Sequence, residues 1–403
     1  MAKGPLLIND PVYGFTRIPR GVLTDILAHP YFQRLGRIRQ LGMSSLVYPG
    51  AQHTRKQHSI GAFHLMQEAL MTLVEKGQFI FDSEIEAAEA AILLHDVGHG
   101  PFSHVLESTF VKGVTHEDIS LMLIERMNED MNGALSLAIK IYKDDCEKHF
   151  LHELICSQLD VDRLDYLCRD SFFCGVREGS IGAARILKML NLQDNRLVVE
   201  AKGLFPVENY LMSRRIMYWQ VYLHKTAVAA EEVLRQALRR AKHLARQGYE
   251  LFAAPALHYF LYTPQPTADA AWLDHYAELE DNDILSAVKA WRHSDDKILS
   301  LLCDDFINRR LFRCDVYEGD VPEDEITRQR EQIAKALALP YEDTDYFVCT
   351  KHVAKELYSV TSEGIGILYP DGSVRDVSEV SHIVHGENAQ LRDEKTYLFH
   401  QRL

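Results

Sequence analysis

Three histidines and a carboxylate occur within ten residues of one segment of the chain, from His95 to His104. Its sequence, His-Asp-Val-Gly-His-Gly-Pro-Phe-Ser-His, contains two glycines that allow sharp backbone turns. A buried imidazole beside a buried carboxylate is costly unless another group satisfies both, and a metal ion can do so. Because a single His-Asp pair is more often a hydrogen-bonded helix end, a metal site requires further ligands elsewhere in the sequence.

Two other stretches provide such ligands at helical spacing. His58 begins an apolar stripe that continues to Ala69, and Asp162 lies on a stripe with Ile155, Leu159 and Tyr166. The candidate metal ligands are therefore His58, His95, Asp96 and Asp162. Two imidazoles and two carboxylates suit a borderline divalent metal such as Mn, Fe, Co, Ni or Zn, and Mg is an alternative. A metal at this position could polarise a phosphate and lower the pKa of a bound water molecule.

Helices are expected to position these side chains. Residues 83–94 predict a helix that ends at His95, because Ser83 can cap it and acidic residues occupy its first turn. Further helices are predicted around residues 58–76 and 151–168, and one long helix over residues 206–247. After Pro340, residues 346–350 and 364–369 predict strands, and a Pro-Asp-Gly turn follows them.

The wider sequence resembles the HD phosphohydrolase superfamily, and within it the deoxynucleoside triphosphate triphosphohydrolases. That branch includes bacterial enzymes and the vertebrate SAM- and HD-domain enzyme. The resemblance covers roughly residues 6 to 240 and becomes weaker beyond them. The matching motifs are Phe32-Gln33-Arg34-Leu35, Gln40-Leu41-Gly42, Tyr48-Pro49-Gly50-Ala51, Arg55-x-x-His58, the segment from His95 to His104, His116-Glu117 and the run from Asp160 to Asp170. The four candidate ligands correspond to the set that holds the metal in this family.

The resemblance also implies roles for residues around the metal. A His and an acid of the family's catalytic relay match His116 and Glu107, although many relatives carry Asp at the second position. Histidines near a metal-phosphate site can also neutralise charge or donate a proton, which applies to His99 and His104 as well. The implied substrate-binding residues are Arg55 for phosphate, Gln40 and Leu41 near the base and sugar, Tyr166 and Asp170 at the deoxyribose, and Arg214, Tyr222 and Lys225 on the long helix. Asp165 could orient a neighbouring group or be a surface carboxylate, and the sequence favours neither.

These patterns together predict a mainly α protein in three parts. A helical HD domain with an N-terminal hairpin is expected over residues 1–250, a helical extension over residues 251–340, and a small α+β region over residues 341–403.

The composition restricts the classes to which the protein can belong. With 403 residues, 47% of them hydrophobic and 25% charged, the chain has the composition of a globular protein. It contains no run of eighteen apolar residues and no apolar core of a signal peptide at its start, so we expect no membrane span. Seven cysteines without a CxxC motif predict free thiols and a cytoplasmic location. The net charge of −14 disfavours stable nucleic-acid binding.

The resemblance further implies assembly and regulation. Resembling enzymes are homo-oligomers, often tetramers, and several are activated by a nucleotide bound between subunits. We therefore expect a dimer or a tetramer. The Asp and Arg that read a guanine base in the vertebrate enzyme correspond to Ala28 and Gly36, so a requirement for GTP is not expected. Retained positions match Asn9, Gln33, Arg309 and Arg313, which could bind another nucleotide activator or only pack against a neighbouring subunit.

The expected activity is metal-dependent hydrolysis of a deoxynucleoside triphosphate (dNTP) to the deoxynucleoside and inorganic triphosphate. This regiochemistry follows from the resemblance, because the spacing of the ligands alone indicates only phosphoester hydrolysis. One alternative is an HD phosphohydrolase that acts on a nucleoside monophosphate, a cyclic nucleotide or an alarmone. The other is a nucleotide sensor without catalytic activity.

Overall fold

The computed structural model describes residues 4–102, 104–110, 113–263, 268–356, 358, 364–384 and 392–403, without the side chains of His104, Glu107, Ser108, Lys355, Glu356 and Arg392. Helices dominate these residues, and their strands form three small sheets. The prediction of a mainly α protein is confirmed. Within this described part, none of the helices combines the length and apolar character needed to cross a lipid bilayer.

The elements follow one another along the chain in this order. The helices up to residue 246 are α1 (Val22–Ala28), α2 (Pro30–Arg34), α3 (Arg55–Glu75), α4 (Asp82–Leu94), α5 (His104–Phe110), α6 (His116–Asp130), α7 (Ser136–Tyr142), α8 (His149–Glu153), α9 (Val161–Cys174), α10 (Ala183–Met189), α11 (Leu204–Met217) and α12 (Lys225–Arg246). The later helices are α13 (Pro255–Tyr262), α14 (Ala270–Glu278), α15 (Asp281–Trp291), α16 (Lys297–Ile307), α17 (Glu323–Leu337) and α18 (Val377–Val380). The strands are β1 (Leu6–Asp10), β2 (Gly14–Ile18), β3 (Leu190–Gln193), β4 (Arg196–Glu200), β5 (Arg313–Tyr317), β6 (Val348–Glu356), β7 (Gly366–Leu368), β8 (Val374–Asp376) and β9 (Arg392–His400).

Three of these helices form the framework of the candidate site. α3 begins with a capping box, in which the Gln57 side chain accepts from the Thr54 backbone N–H at 2.8 Å. It packs against both α4 and α9. Gly61 permits the close approach of α9, because a Cβ atom there would lie 2.1 Å from Oδ1 of Asp165. The start of α3, the end of α4 and the start of α9 therefore lie close together, at the candidate site.

The N-terminal hairpin is formed by β1 and β2, which pair antiparallel from Leu6 opposite Ile18 to Asp10 opposite Gly14. Gly14 has a φ of 79° at the tight connection, a value that favours glycine. Tyr13 stacks on the His64 ring of α3 at 5.1 Å, so the hairpin lies against the same helix that carries His58.

The long helix predicted over residues 206–247 is interrupted. A π-helical turn over Tyr218–Tyr222 separates α11 from α12, and the Leu223 N–H donates to the Tyr218 carbonyl at 2.7 Å. The extra residue of a π turn rotates the side chains that follow it, and such turns are frequent at functional sites. His224 then caps α12 by accepting from the Thr226 N–H at 3.2 Å.

The strands of the last sixty residues join sheets with earlier parts of the chain. β9 lies between β5 and β6 in one antiparallel sheet. β7 pairs parallel with β4, with Val199 opposite Ile367, in a second sheet of order β3-β4-β7-β8. Gly372 has a φ of 83° in the predicted turn between β7 and β8. The division of the chain at residues 250 and 340 stays a prediction.

Candidate metal centre

Three predicted ligands converge on one point of the structure. The Nε2 atoms of His58 and His95 lie 3.2 Å apart. Oδ1 of Asp162 lies 3.0 Å from the first and 3.4 Å from the second. Separations of this size are comparable to those between neighbouring ligands of one cation with bonds of about 2.0–2.2 Å. We call His58, His95 and Asp162 the His-His-Asp cluster.

The outer nitrogen of each ring is held so that Nε2 faces the cluster. Nδ1 of His58 lies 2.7 Å from Oδ2 of Asp165, and Nδ1 of His95 lies 2.7 Å from the carbonyl oxygen of Ile92. An acceptor at Nδ1 fixes the proton there and leaves the Nε2 lone pair for a metal. Of the two interpretations of Asp165 left open by the sequence, the structure supports orientation of a neighbouring group, because this carboxylate is buried against His58.

The electrostatics of the cluster favour a cation. Burial alone would lower the pKa of His58, but hydrogen bonds to Asp162 and Asp165 outweigh it and raise the pKa to about 10. Burial raises the pKa of Asp162, yet hydrogen bonds from both histidines hold it below its usual range. The carboxylates therefore attract positive charge into a buried site. Two imidazole nitrogens and a carboxylate oxygen fit a borderline divalent metal.

Asp96 lies beside the cluster and contacts its neighbours. Its Oδ1 is 3.5 Å from Nε2 of His95, and its Oδ2 is 3.7 Å from Nε2 of His58. Oδ2 also accepts a hydrogen bond from Arg55 at 2.7 Å. The position of Asp96 is compatible with a fourth ligand, and that role stays a prediction.

The two described histidines of the predicted catalytic group lie against each other. The rings of His99 and His116 are 4.0 Å apart, and His116 is also 3.1 Å from the Glu117 carboxylate. Burial, and then the nearby charge of Arg55, lower the pKa of His99 to about 3, so its ring is neutral near pH 7. Glycine at position 98 lets α6 approach, because a Cβ there would lie 2.3 Å from the His116 carbonyl oxygen. The side chains of His104 and Glu107 lie outside the described residues, although both backbones belong to α5.

Three of the predicted substrate-binding residues, Tyr166, Asp170 and Tyr222, lie next to the cluster, and we call them the wall. Tyr222 donates to Oδ2 of Asp170 at 2.9 Å, and the Tyr166 ring lies 6.0 Å from the Tyr222 ring in an edge-to-face arrangement. Tyr166 is also 6.5 Å from the His58 ring, which connects the wall to the cluster. Arg214 lies over the Tyr218 ring at 5.8 Å. The π-helical turn thus directs Tyr222 towards Asp170 while Arg214 remains on the regular part of α11.

Of the remaining predicted substrate-binding residues, Gln40 and Leu41 are at least partly buried, whereas Lys225 is exposed. The Gln40 backbone N–H donates to the His53 carbonyl at 3.0 Å, and its side-chain oxygen is buried. Leu41 is half-buried and packs against the core. Lys225 is exposed at the first position of α12, and no described contact joins it to the cluster.

The structure also shows residues that the sequence did not indicate. His53 lies 2.7 Å from Oδ1 of Asp170 and stacks on Phe173 at 4.5 Å. Arg163 pairs with Asp160 at the start of α9. The i,i+3 spacing of Asp160 and Arg163 is a usable signal on a helix. For His53, which precedes α3, the sequence offers no periodic signal.

Comparisons with known proteins agree with this geometry. Residues 55–170 match the HD domain, and residues 181–252 match the HD associated region. The chain is 33% identical to the uncharacterized protein YwfO of Bacillus subtilis over 97% of this chain and 91% of that protein. It is also similar to the crystal structure of a phosphohydrolase from Bacteroides thetaiotaomicron, with 53% identity, a TM-score of 0.96, and coverage of 99% of this chain and 100% of that one.

The chain belongs to the HD-domain phosphohydrolase superfamily. Within this superfamily it is 29% identical to the deoxynucleoside triphosphate triphosphohydrolase SAMHD1 of Bos taurus, over 58% of this chain and 47% of that protein. HD domains bind divalent metals, and the His-His-Asp cluster of this HD-domain protein lies inside the matched region.

Proposed function

We propose that this HD-domain protein hydrolyses dNTPs to the deoxynucleoside and inorganic triphosphate. The observation that supports the proposal most directly is the wall of Tyr166, Tyr222 and Asp170 beside the His-His-Asp cluster. Two phenol rings can pack against a sugar, and a carboxylate can accept a hydrogen bond from its hydroxyl. The similarity to SAMHD1 proteins supports the same substrate class.

The phosphate end of the substrate would lie over the cluster. His58, His95 and Asp162 would hold the metal, with Asp96 as the proposed fourth ligand. A divalent ion bound there supplies Lewis acidity towards a phosphate oxygen and makes a bound water more acidic. Arg55 and Arg214 are proposed to bind triphosphate oxygens, because a planar guanidinium can form two parallel hydrogen bonds with them. Lys225 is a proposed further phosphate contact.

Release of the deoxynucleoside requires a proton on its 5′-oxygen. Because the pKa of His99 is lowered to about 3, its ring does not carry the extra proton of an imidazolium near pH 7 and is a poor proton donor. His116 is less buried, and its ring is in contact with His99. We therefore assign the proton donor to His116, with Glu107 as its proposed partner in the relay and His104 as a group that neutralises charge.

The other end of the substrate would be selected by the wall. Tyr166 is proposed to pack below C2′ of the deoxyribose and to leave no room for a 2′-hydroxyl. Asp170 is proposed to accept from the sugar. Gln40 and Leu41 are proposed to lie beside the sugar and base.

We also propose that the protein works as a homo-oligomer, a dimer or a tetramer, without a requirement for GTP. Gln33 hydrogen-bonds both to the Leu27 carbonyl and to Lys56, and Arg309 donates to the Leu46 carbonyl, so these two positions are engaged within the chain. Asn9 lies in β1 opposite Phe15. A different nucleotide remains the proposed activator if these groups open towards a neighbouring subunit.

The experiment that tests the proposal is a product assay on the four dNTPs with Mn²⁺ or Mg²⁺. Inorganic triphosphate and deoxynucleoside are the expected products, separated by ion-exchange chromatography. Pyrophosphate as the product, or hydrolysis confined to monophosphates, cyclic nucleotides or alarmones, would favour the other HD phosphohydrolases. Nucleotide binding without turnover under any of these metals would favour a sensor.

A further inference from the structure

A continuous chain of charged contacts connects the N-terminal hairpin to the His-His-Asp cluster. Oδ2 of Asp10 accepts from Nη1 of Arg169 at 2.8 Å. The same guanidinium donates to both oxygens of Asp165, from Nε at 2.9 Å and from Nη2 at 3.0 Å. Asp165 then contacts Nδ1 of His58 at 2.7 Å. Every link from the hairpin to the ring of His58 is thus a direct contact.

This chain lies entirely in the interior. The exposed fractions are 4% for Asp10, 0% for Arg169, 0% for Asp165 and 1% for His58. Charges buried to this degree are retained only when every one of them is paired. The sequence makes space for the arrangement, because a Cβ atom at Gly61 would lie 1.9 Å from Nη2 of Arg169.

The charges of Asp10, Arg169 and Asp165 together determine the electrostatic environment of His58. Arg169 alone would neutralise Asp165 and weaken its attraction for the Nδ1 proton. Asp10 supplies a second carboxylate to the guanidinium, so the three groups together keep a net negative charge next to His58. A negative partner at Nδ1 fixes the ring tautomer and makes Nε2 a better metal ligand.

We propose that Asp10 is a positioning residue for the His-His-Asp cluster, which acts through Arg169 and Asp165 to orient His58 and strengthen it as a ligand. The docking of the hairpin on α9 is thereby coupled to the affinity of the cluster for metal. The inference rests on the metal role of the cluster in the proposed function.

Asp10→Asn distinguishes the two roles of the Asp10 carboxylate, which are to accept from the hairpin backbone and to pair with Arg169. Oδ1 of Asp10 accepts from the backbone N–H groups of Val12 and Tyr13 at 2.8 and 3.1 Å, and the asparagine oxygen can retain these turn contacts. The amide nitrogen then takes the place of Oδ2 and cannot accept from Nη1 of Arg169, so the variant removes both the charge and the hydrogen bond of this link. The matched control is Thr16→Val in the same hairpin, because the Thr16 hydroxyl lies 3.3 Å from Nδ1 of His64 on α3 but does not touch the charged chain.

The experiment is a titration of the full-length, chelator-treated protein and its variants with Mn²⁺, in which free Mn²⁺ is measured by electron paramagnetic resonance. We expect Asp10→Asn to weaken Mn²⁺ binding about tenfold, the lower end of what loss of a supporting partner costs. Thr16→Val should stay within about twofold of the parent protein on the same scale. Unchanged affinity in Asp10→Asn, or an equal loss in both variants, would overturn the proposal.

Arg169→Lys provides a second test if Asp10→Asn does not fold. Lysine keeps the buried charge but cannot bridge Asp10 and both oxygens of Asp165, so it should weaken Mn²⁺ binding as well. Parent-like affinity in this variant would also overturn the proposal. Because no nucleotide is used, the result is separate from the proposed function: a parent protein that binds Mn²⁺ and hydrolyses no dNTP would contradict only the latter.

Discussion

Replacing Glu89 with glutamine is expected to stabilise the protein above pH 7 and to change its stability little near pH 5. Glu89 lies on α4 with an exposed fraction of 5%, and its Oε1 accepts from the Gln67 side chain of α3 at 3.0 Å. Burial, opposed by the bond from Gln67 and reinforced by the charge of Glu86, raises the pKa of Glu89 from 4.5 to about 7. The carboxylate is therefore protonated in the folded protein at a pH where it is ionised in the unfolded chain.

The difference in the pKa of Glu89 between the folded and unfolded states determines the sign and size of the change in stability. Between pH 4.5 and about 7 the folded state binds more protons than the unfolded state, so stability falls as the pH rises through this window. Above it the ionised group destabilises the fold by up to about 3 kcal/mol, the free energy that corresponds to the pKa difference. Glutamine cannot ionise and can still accept from Gln67, so the variant avoids this loss.

Urea unfolding followed by circular dichroism at pH 5 and pH 8 measures the effect. The variant should have a higher free energy of unfolding than the parent at pH 8, by about 1–3 kcal/mol, and a similar one at pH 5. The control is Glu125→Gln on the exposed face of α6, which should show no such dependence. A gain of equal size at both pH values, or a loss at pH 8, would show that ionisation of Glu89 does not destabilise the folded protein.

The remaining predictions concern the site and the assembly. Replacing His95 and Asp96 together with alanine should leave a folded protein without bound metal or hydrolysis, because the other apolar residues of α4 still dock it; a full metal content by elemental analysis would contradict the ligand assignment. Tyr166→Ala should raise the rate with GTP relative to dGTP by about tenfold or more, equivalent to about 1.4 kcal/mol, and an unmodified protein that turns over both equally would argue against the dNTP proposal. Light scattering should show an oligomer whose rate on one dNTP is independent of GTP, whereas a fully active monomer or a strict GTP requirement would contradict this.

The elements that hold the cluster could be predicted from sequence because their signals are local. The apolar stripe that begins at His58 lies within one helix, so periodicity directs its side chains inward. The helix predicted over residues 151–168 was wrong in its extent, because the segment divides into α8 and α9: Ile155 and Leu159 lie between them, and Asp162 lies in the first turn of α9. The acidic first turn of the helix before His95 indicated where it starts, but the predicted cap was wrong: α4 begins at Asp82 with Phe81 at the N-cap position, so Ser83 lies inside the helix. The resemblance then grouped residues that are far apart in sequence. Their close approach in the structure depends on Gly61 and on packing between helices.

The features that sequence did not predict depend on contacts between distant residues. The π-helical turn before Leu223 accompanies the bond from Tyr222 to Asp170, which are 52 positions apart, and helix propensity does not register such a contact. His53 is held by the same carboxylate from the loop before α3. The parallel pairing of β4 with β7 joins segments separated by more than 150 residues, and neither short strand indicates its partner.

In the proposed reaction, water attacks the α-phosphorus of a dNTP and releases triphosphate intact. Hydrolysis of dGTP in ¹⁸O-enriched water, followed by ³¹P nuclear magnetic resonance and mass spectrometry of the products, tests it most directly. We expect one ¹⁸O atom in inorganic triphosphate and none in deoxyguanosine. Label in deoxyguanosine, in a deoxynucleoside monophosphate released with pyrophosphate, or in orthophosphate would contradict it.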